Sequence, residues 1–229
     1  MLNGKTYIFG GRGAPTKPHI IFSKIDEDGN LENIPEDNTF PTPRWSHSLA
    51  NVNGKLYLTG GRSQNETFGD IFEFDTGIWG KKQCLKSPIF SHSSCEWKGK
   101  LIITGGLKNF SKCEVNDDLI EFDPKMPTVQ YISLPNYYPR FSHTSHVKGN
   151  VLVQVGGVVI APTDIVVTKI DLATKLVTNY ESTVSLEAPL VQHSSFIDEE
   201  DEQIVIFGGG TNCFSFGMHV NKTVIKIPV

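Results

Sequence analysis

With 229 residues, 38% of them hydrophobic and 20% charged, the chain is long enough for one large all-β domain or two ordinary ones and too apolar to be disordered. Its apolar runs stop at four to six residues, far short of the ~20 that cross a bilayer. No charged stretch followed by an apolar one opens the chain, so an intracellular, cytoplasmic location away from membranes is expected. A net charge of −4 excludes a strong unaided grip on nucleic acid, which depends on neutralising phosphates; RNA contact would be local or supplied by a partner.

In chain order, the first predicted elements are a turn at 3–5 and the strand "KTYIFGG" ending at Gly10 and Gly11, then "IFSKID" ending at Asp26. A second unit follows with "RWSHSLA" around His47, the turn "NGK", "KLYLTGG" ending at Gly60 and Gly61, and "IFEFD" ending at Asp75. The third repeats the order with "IFSHSSC" (His92), "KGK", "KLIITGG" (Gly105, Gly106) and "LIEFD" (Asp123). The fourth does so with "RFSHTSH" (His143), "KGN", "VLVQVGG" (Gly156, Gly157) and "VVTKID" (Asp171). The fifth offers "LVQHSSF" (His193), "DEEDE" where the turn belongs, and "QIVIFGG" (Gly208, Gly209).

Successive glycine pairs are 50, 45, 51 and 52 residues apart, the histidines 45, 51 and 50, and the aspartates 49, 48 and 48. Three markers sharing one period define a repeat. Four antiparallel strands in ~50 residues, with a glycine doublet after the second, is the kelch form of a propeller blade. Two residues without Cβ let the backbone bulge and approach a neighbour closely. The expected fold is therefore all-β, a kelch-type β-propeller of about four and a half to five four-stranded blades, at roughly 1–40, 41–88, 89–138, 139–188 and 189–229. A ring this short of the usual kelch closure is expected to be part of a larger one, the alternative being a propeller closed by a strand that the repeat does not display. Trp79 is the clear kelch tryptophan, with Leu31, Val129 and Leu176 near its place in other units.

Few residues suggest chemistry. The repeat histidines lie at one blade position on a circle around the axis, too far apart to share a metal, and a structural role is expected. Arg44 and Arg140 precede two of them by three residues where Ile89 and Leu190 precede the others; facing the channel, lining a rim and packing in a blade are all open. "GGRGAP" lacks the phosphate-loop pattern and a following helix, and its Gly-Arg recurs as Gly61-Arg62. The acidic run at 198–202 reads as a solvated turn. No catalytic, cofactor-binding or metal-binding residues are assigned; a metal-dependent enzyme of the kelch-oxidase kind would need ligands the spacing does not offer. Four scattered cysteines, Cys84, Cys95, Cys113 and Cys213, are expected to be reduced thiols.

The segment after the fifth doublet, "GGGTNCFSFGMHVN", exceeds what the repeat requires. Its Gly208, Gly209, Gly210, Cys213, Phe214, Ser215, Phe216, Gly217, His219 and Asn221 resemble the CFSFG-type signature in the kelch region of the tRNA wybutosine-synthesising protein 4 family, the leucine carboxyl methyltransferase-like proteins. That resemblance implies a propeller joined to an S-adenosylmethionine-dependent methyltransferase domain, which methylates and methoxycarbonylates the wybutosine precursor of phenylalanine tRNA. S-adenosylmethionine would belong to that other domain; this chain is expected to carry the propeller half alone and to be non-catalytic by itself. The expected partners are the methyltransferase domain, in cis or in trans, and phenylalanine tRNA through it. The loop reads either as a latch or plug of the last blade, or as a surface where His219 and Asn221 face the methyltransferase site or its tRNA. The repeat alone would equally suit a general protein-interaction module, an adaptor or scaffold binding a protein ligand through loops on one face.

Overall fold

The computed structural model describes residues 4–14, 17–18, 21–109, 111–126, 128–161, 165–181, 190–213, 217–222 and 224–228. Every regular element among them is a β-strand. Blades 2, 3 and 4 are four-stranded antiparallel sheets in sequence order. Blade 2 runs Ser48–Val52, Lys55–Thr59, Asp70–Asp75 and Ile78–Cys84. Blade 3 runs Ser93–Trp97, Lys100–Thr104, Asp118–Asp123 and Thr128–Ser133. Blade 4 runs Thr144–Lys148, Val151–Val155, Ile165–Asp171 and Val177–Glu181.

The outer two sheets are three-stranded. Blade 1 (Thr6–Phe9, Phe22–Ile25, Leu31–Asn33) has no histidine-bearing first strand among the described residues. Blade 5 (His193–Asp198, Gln203–Gly208, Ile225–Pro228) has no described fourth strand. Five blades thus form the propeller.

Alternation along the strands explains how the blades stack. In a strand, successive side chains face opposite sides of the sheet. Leu56 and Leu58 of blade 2 join Phe9, Phe22, Phe74 and Trp79 in a core shared with blade 1. The intervening Tyr57 points the other way, into a core with Leu101, Ile103, Ile120 and Phe122 of blade 3. Two further cores join blades 3 and 4 around Ile102, Leu152 and Ile170, and blades 4 and 5 around Val153, Val155, Ile204 and Ile206. Blades 2, 3 and 4 thereby bury apolar residues on both faces, blades 1 and 5 on one, and the cores lie between blades.

The tryptophan position is confirmed in blade 2 and adjusted in blade 4. Trp79 pairs with Phe74, Val129 with Phe122 and Leu31 with Ile25, but in blade 4 it is Val177, not Leu176, that pairs with Ile170. Leu176 sits in the turn before that strand, 67% exposed. The first strands of blades 2 to 5 run beside one another, which makes them the hub. Ser48 Oγ lies 2.6 Å from Ser94 Oγ, and Thr144 Oγ1 lies 2.6 Å from Ser195 Oγ, so polar contacts step from blade to blade around it.

Candidate interaction surface on the glycine-doublet face

In every blade the second strand ends, and the third begins, at the same end of the sheet. That end carries the doublets, the loops after them, and the segments leading into each histidine. One joint recurs there four times. The N–H of the second glycine donates to the carbonyl three residues before the next blade's histidine: Gly11 to Arg44 (3.0 Å), Gly61 to Ile89 (2.8 Å), Gly106 to Arg140 (2.9 Å) and Gly157 to Leu190 (2.7 Å). The histidine then lies between two glycines. A Cβ on Gly60 would be 2.8 Å from His92 Cε1, and one on Gly106 would be 2.7 Å from His92 Cβ. The doublet is therefore one glycine for the following blade and one for the blade's own histidine.

The histidine rings face the preceding blade. His92 Nε2 lies 2.8 Å from Thr59 Oγ1, His143 Nε2 3.3 Å from Thr104 Oγ1, and His193 Nε2 3.0 Å from Thr144 Oγ1. Burial pushes His47 down to about 4, helped by the Arg44 charge, and His92 down to about 3. His143 is held well below its usual range by burial and then by Arg140. These are neutral rings at physiological pH, spread around the ring. Among the described residues no three His, Cys, Asp or Glu side chains converge as a metal site. Just before each histidine, Ser46, Ser91, Ser142 and Gln192 all adopt positive φ, between 54° and 58°. The Ser91 N–H donates to Ser46 O and the Ser142 N–H to Ser91 O, both at 2.8 Å, so these strained residues are linked around the hub.

Both arginines pack inside blades. Arg44 and Arg140 are 0% exposed. Arg44 makes a two-pronged ion pair with Asp70, donates to Gly60 O at 3.0 Å and stacks 3.9 Å from the Phe68 ring centroid. Arg140 instead donates to Gly156 O (2.9 Å), Val166 O (3.2 Å) and Thr168 Oγ1 (2.5 Å). Burial pushes it down to about 10. Since Leu190 fills the same place in blade 5, Arg140→Leu is expected to change stability by less than about 1 kcal/mol or to raise it. Arg44→Leu strands the Asp70 carboxylate and is expected to cost about 3–5 kcal/mol. Urea unfolding of the two variants side by side checks the contrast.

The loops bring together residues that the repeat pattern keeps apart. Trp45 lies between two guanidinium groups, Arg12 at 5.8 Å and Arg62 at 5.7 Å, and Arg62 lies 5.0 Å from the Phe90 ring. This row crosses blades 1, 2 and 3 on the doublet face. The recurring Gly-Arg reads in sequence only as a mark of the repeat; that Trp45 stands between the two arginines is a contact across blades that linear spacing does not display.

The signature segment is the fifth blade's version of the same loop. Gly210–Cys213 and Gly217–Val220 form a hairpin pairing Thr211 with His219 and Cys213 with Gly217. Blades 1 and 3 place shorter hairpins at the corresponding point. Phe214, Ser215 and Phe216, and the side chains of Cys213 and His219, lie outside the described residues. Asn221 is 7% exposed; its N–H donates to Gly209 O at 3.0 Å, as Asn116 donates to Gly106 O and Phe68 to Gly61 O. Its Nδ2 reaches Gly208 O at 3.4 Å. Asn221 thus closes its loop onto the doublet, in a place the other blades also fill.

A cleft of about 380 Å³ between blades 1 and 2, lined by Tyr7, Lys24, Glu32, Phe74 and Asp75, holds charges that already pair. Lys24 meets Glu32 at 2.8 Å, and Lys55 meets Asp75 at 2.8 Å. Cys84 and Cys113 are exposed free thiols, while burial pushes the Cys95 thiol up to about 12. No helix among the described residues is long and apolar enough to cross a membrane.

Comparison with known proteins agrees with this geometry. The solved structure of YjhT superposes with a TM-score of 0.73 at 20% identity, over 91% of this chain and 70% of that one, which shows the shared fold. The tRNA wybutosine-synthesizing protein 4 of Rattus norvegicus is 36% identical over 97 residues, and that of Homo sapiens 34% over 97 residues. In both cases the match covers 41% of this chain and 14% of the relative, so the chain spans only a small part of those proteins. The KLHDC2/KLHL20/DRC7 Kelch-repeats domain model matches residues 1–157, more than half of the chain, and the chain belongs to that kelch-repeat family.

Proposed function

We propose that this propeller is the binding module of a tRNA wybutosine-synthesising system, non-catalytic by itself, which supports a methyltransferase domain or positions phenylalanine tRNA for it. The observation that carries this reading is the 36% identity over 97 residues to tRNA wybutosine-synthesizing protein 4, together with the signature residues of the 208–221 segment in the sequence. The Arg12–Trp45–Arg62 row supports the doublet face as the contact surface, because guanidinium groups on either side of an indole suit both phosphate and base, while the buried Phe90 ring backs Arg62 from within. Disrupting the gene in the source cells tests it. Mass spectrometry of phenylalanine tRNA is expected to show precursor lacking the late methyl and methoxycarbonyl groups, restored by re-expression. Unchanged wybutosine would sink the proposal.

A second reading rests on the family match over residues 1–157. On that reading the chain is a general kelch adaptor or scaffold whose ligand is a protein. Affinity purification separates the two: tRNA-modification enzymes among the recovered proteins support the first, and their absence beside an unrelated protein ligand supports the second.

A further inference from the structure

One position in the first strands is filled differently in blade 4. Three residues after the hub histidine stand Ala50, Cys95 and Phe196 in blades 2, 3 and 5, but His146 in blade 4. His146 faces blade 5, as Thr144 does two residues earlier, and both meet Ser195 there. His146 Nε2 lies 2.7 Å from Ser195 Oγ, and Thr144 Oγ1 lies 2.6 Å from that same oxygen. His193 Nε2 lies 3.0 Å from Thr144 Oγ1, so two hydroxyls are bracketed by two imidazoles. Each hydroxyl has one proton to give. The Ser195 proton therefore points either directly to His146, or to Thr144, whose own proton then points to His193. Burial lowers both rings below their usual range, with the His193 charge adding to it for His146, which leaves them neutral and able to accept at physiological pH. Between blades 2 and 3 the corresponding hydroxyls are Ser48 and Ser94, and Ala50 stands where a base would be.

We propose that Ser195, with His146 as its base, is an acceptor site for a small uncharged acyl group delivered by an ester or thioester. This is a modification of the chain without turnover, and it does not depend on the functional reading above. A serine is a weak nucleophile at neutral pH unless an adjacent base takes its proton. Here Ser195 Oγ attacks the acyl carbon while His146 Nε2 takes the hydroxyl proton. The proton leaves with the departing alcohol or thiol, and an ester on Ser195 remains. The wall beside the pair favours an uncharged donor. In the antiparallel register His146 stands opposite Val153 and Ser195 opposite Ile206, both members of the apolar core between blades 4 and 5. The next cation along this face, Lys148, is bound to Glu202 at 2.8 Å. Ser195 and His146 are each half-buried, so a small reagent reaches them without parting the blades.

The probe is p-nitrophenyl acetate added to the 229-residue protein at neutral pH, with the acetylated residues located by peptide mass spectrometry. Acetyl is expected on Ser195 and not on its neighbour Ser194, the more exposed of the two. His146→Gln should slow acetylation of Ser195 by about a hundredfold, the scale of a general base. Acetylation of the exposed Lys98 in the same sample should be unchanged and measures the reagent. His146→Phe, which keeps an aromatic ring as Phe196 does in blade 5, should slow Ser195 to the same degree and stands in if the glutamine variant fails to fold. Thermal unfolding shows whether each variant keeps the propeller. Acetyl on Ser194 in place of Ser195, no acetyl on Ser195, or a rate on Ser195 that either folded variant leaves unchanged overturns the proposal. The hydroxyls and rings would then serve only to tie blade 4 to blade 5.

Discussion

Gly105→Ala is expected to cost more than about 3 kcal/mol of the roughly 5–15 kcal/mol that holds an ordinary domain together. Two costs combine. Gly105 has φ 61°, a left-handed backbone that charges an L-residue about 1–2 kcal/mol. Its added methyl would also lie 2.1 Å from Arg140 O and 2.7 Å from His143 Cε1. The first contact is backbone, and that same carbonyl accepts the Gly106 N–H at 2.9 Å, so relief means parting blade 4 from blade 3. Gly29→Ala is the control. At φ 84° with nothing within 4 Å of its new Cβ, it bears the left-handed cost alone. The gap between the two urea-unfolding free energies measures the joint. Equal losses would mean that the blades shift at little cost and that the doublet is not the close approach argued above.

The parts of the fold that are local in sequence are legible in the sequence itself. The doublets, the turns ahead of them and the aspartates at strand ends each act over a few residues, so their period passes directly into blades. Asp171 illustrates this: its Oδ1 takes the N–H groups of Ala173 and Thr174, at 2.9 and 2.8 Å, and turns the chain into the next strand. What escaped the sequence is contact between units. A close approach at the doublet was expected, but that its two neighbours are the next blade's carbonyl and the blade's own histidine needs three dimensions. Trp45 likewise lies far along the chain from Arg12 and meets it only because blades 1 and 2 stack. The positive φ of Ser46 and Ser91 was invisible for a different reason: serine has no preference for that conformation, so the hub imposes it. Asn221 belongs to the signature segment, yet it bonds as Asn116 does in blade 3. A resemblance confined to fourteen residues could not separate a shared loop-closing asparagine from one kept for contact.

The hub histidines should make the protein acid-labile well above the carboxylate range. A group whose folded value is depressed contributes stability that is complete above its unfolded value and lost as pH falls towards its folded value. An unfolded histidine takes its proton near pH 6.5; His47 waits until about 4 and His92 until about 3, with His143 also well below its usual range. Between pH 6.5 and 5 the unfolded chain therefore gains protons that the propeller refuses. For three such histidines the loss is on the order of 5 kcal/mol. Burial also lowers His193 and His146, which act in the same direction. The carboxylates with lowered values, such as Asp26, Asp171 and Glu202, withdraw their contribution only at lower pH, below the ordinary 3.8 to 4.5 of these groups. The two losses are thus separated along the pH axis. Urea unfolding at pH 7, 6 and 5 is expected to show a slope of at least two to three protons between pH 6 and 5, on the order set by linkage. His92→Gln should remove one proton from that slope while lowering stability at pH 7, so that the variant's disadvantage shrinks on acidification. A flat profile across this range would mean that the rings already share their protons with solvent, and that water reaches the joints between blades.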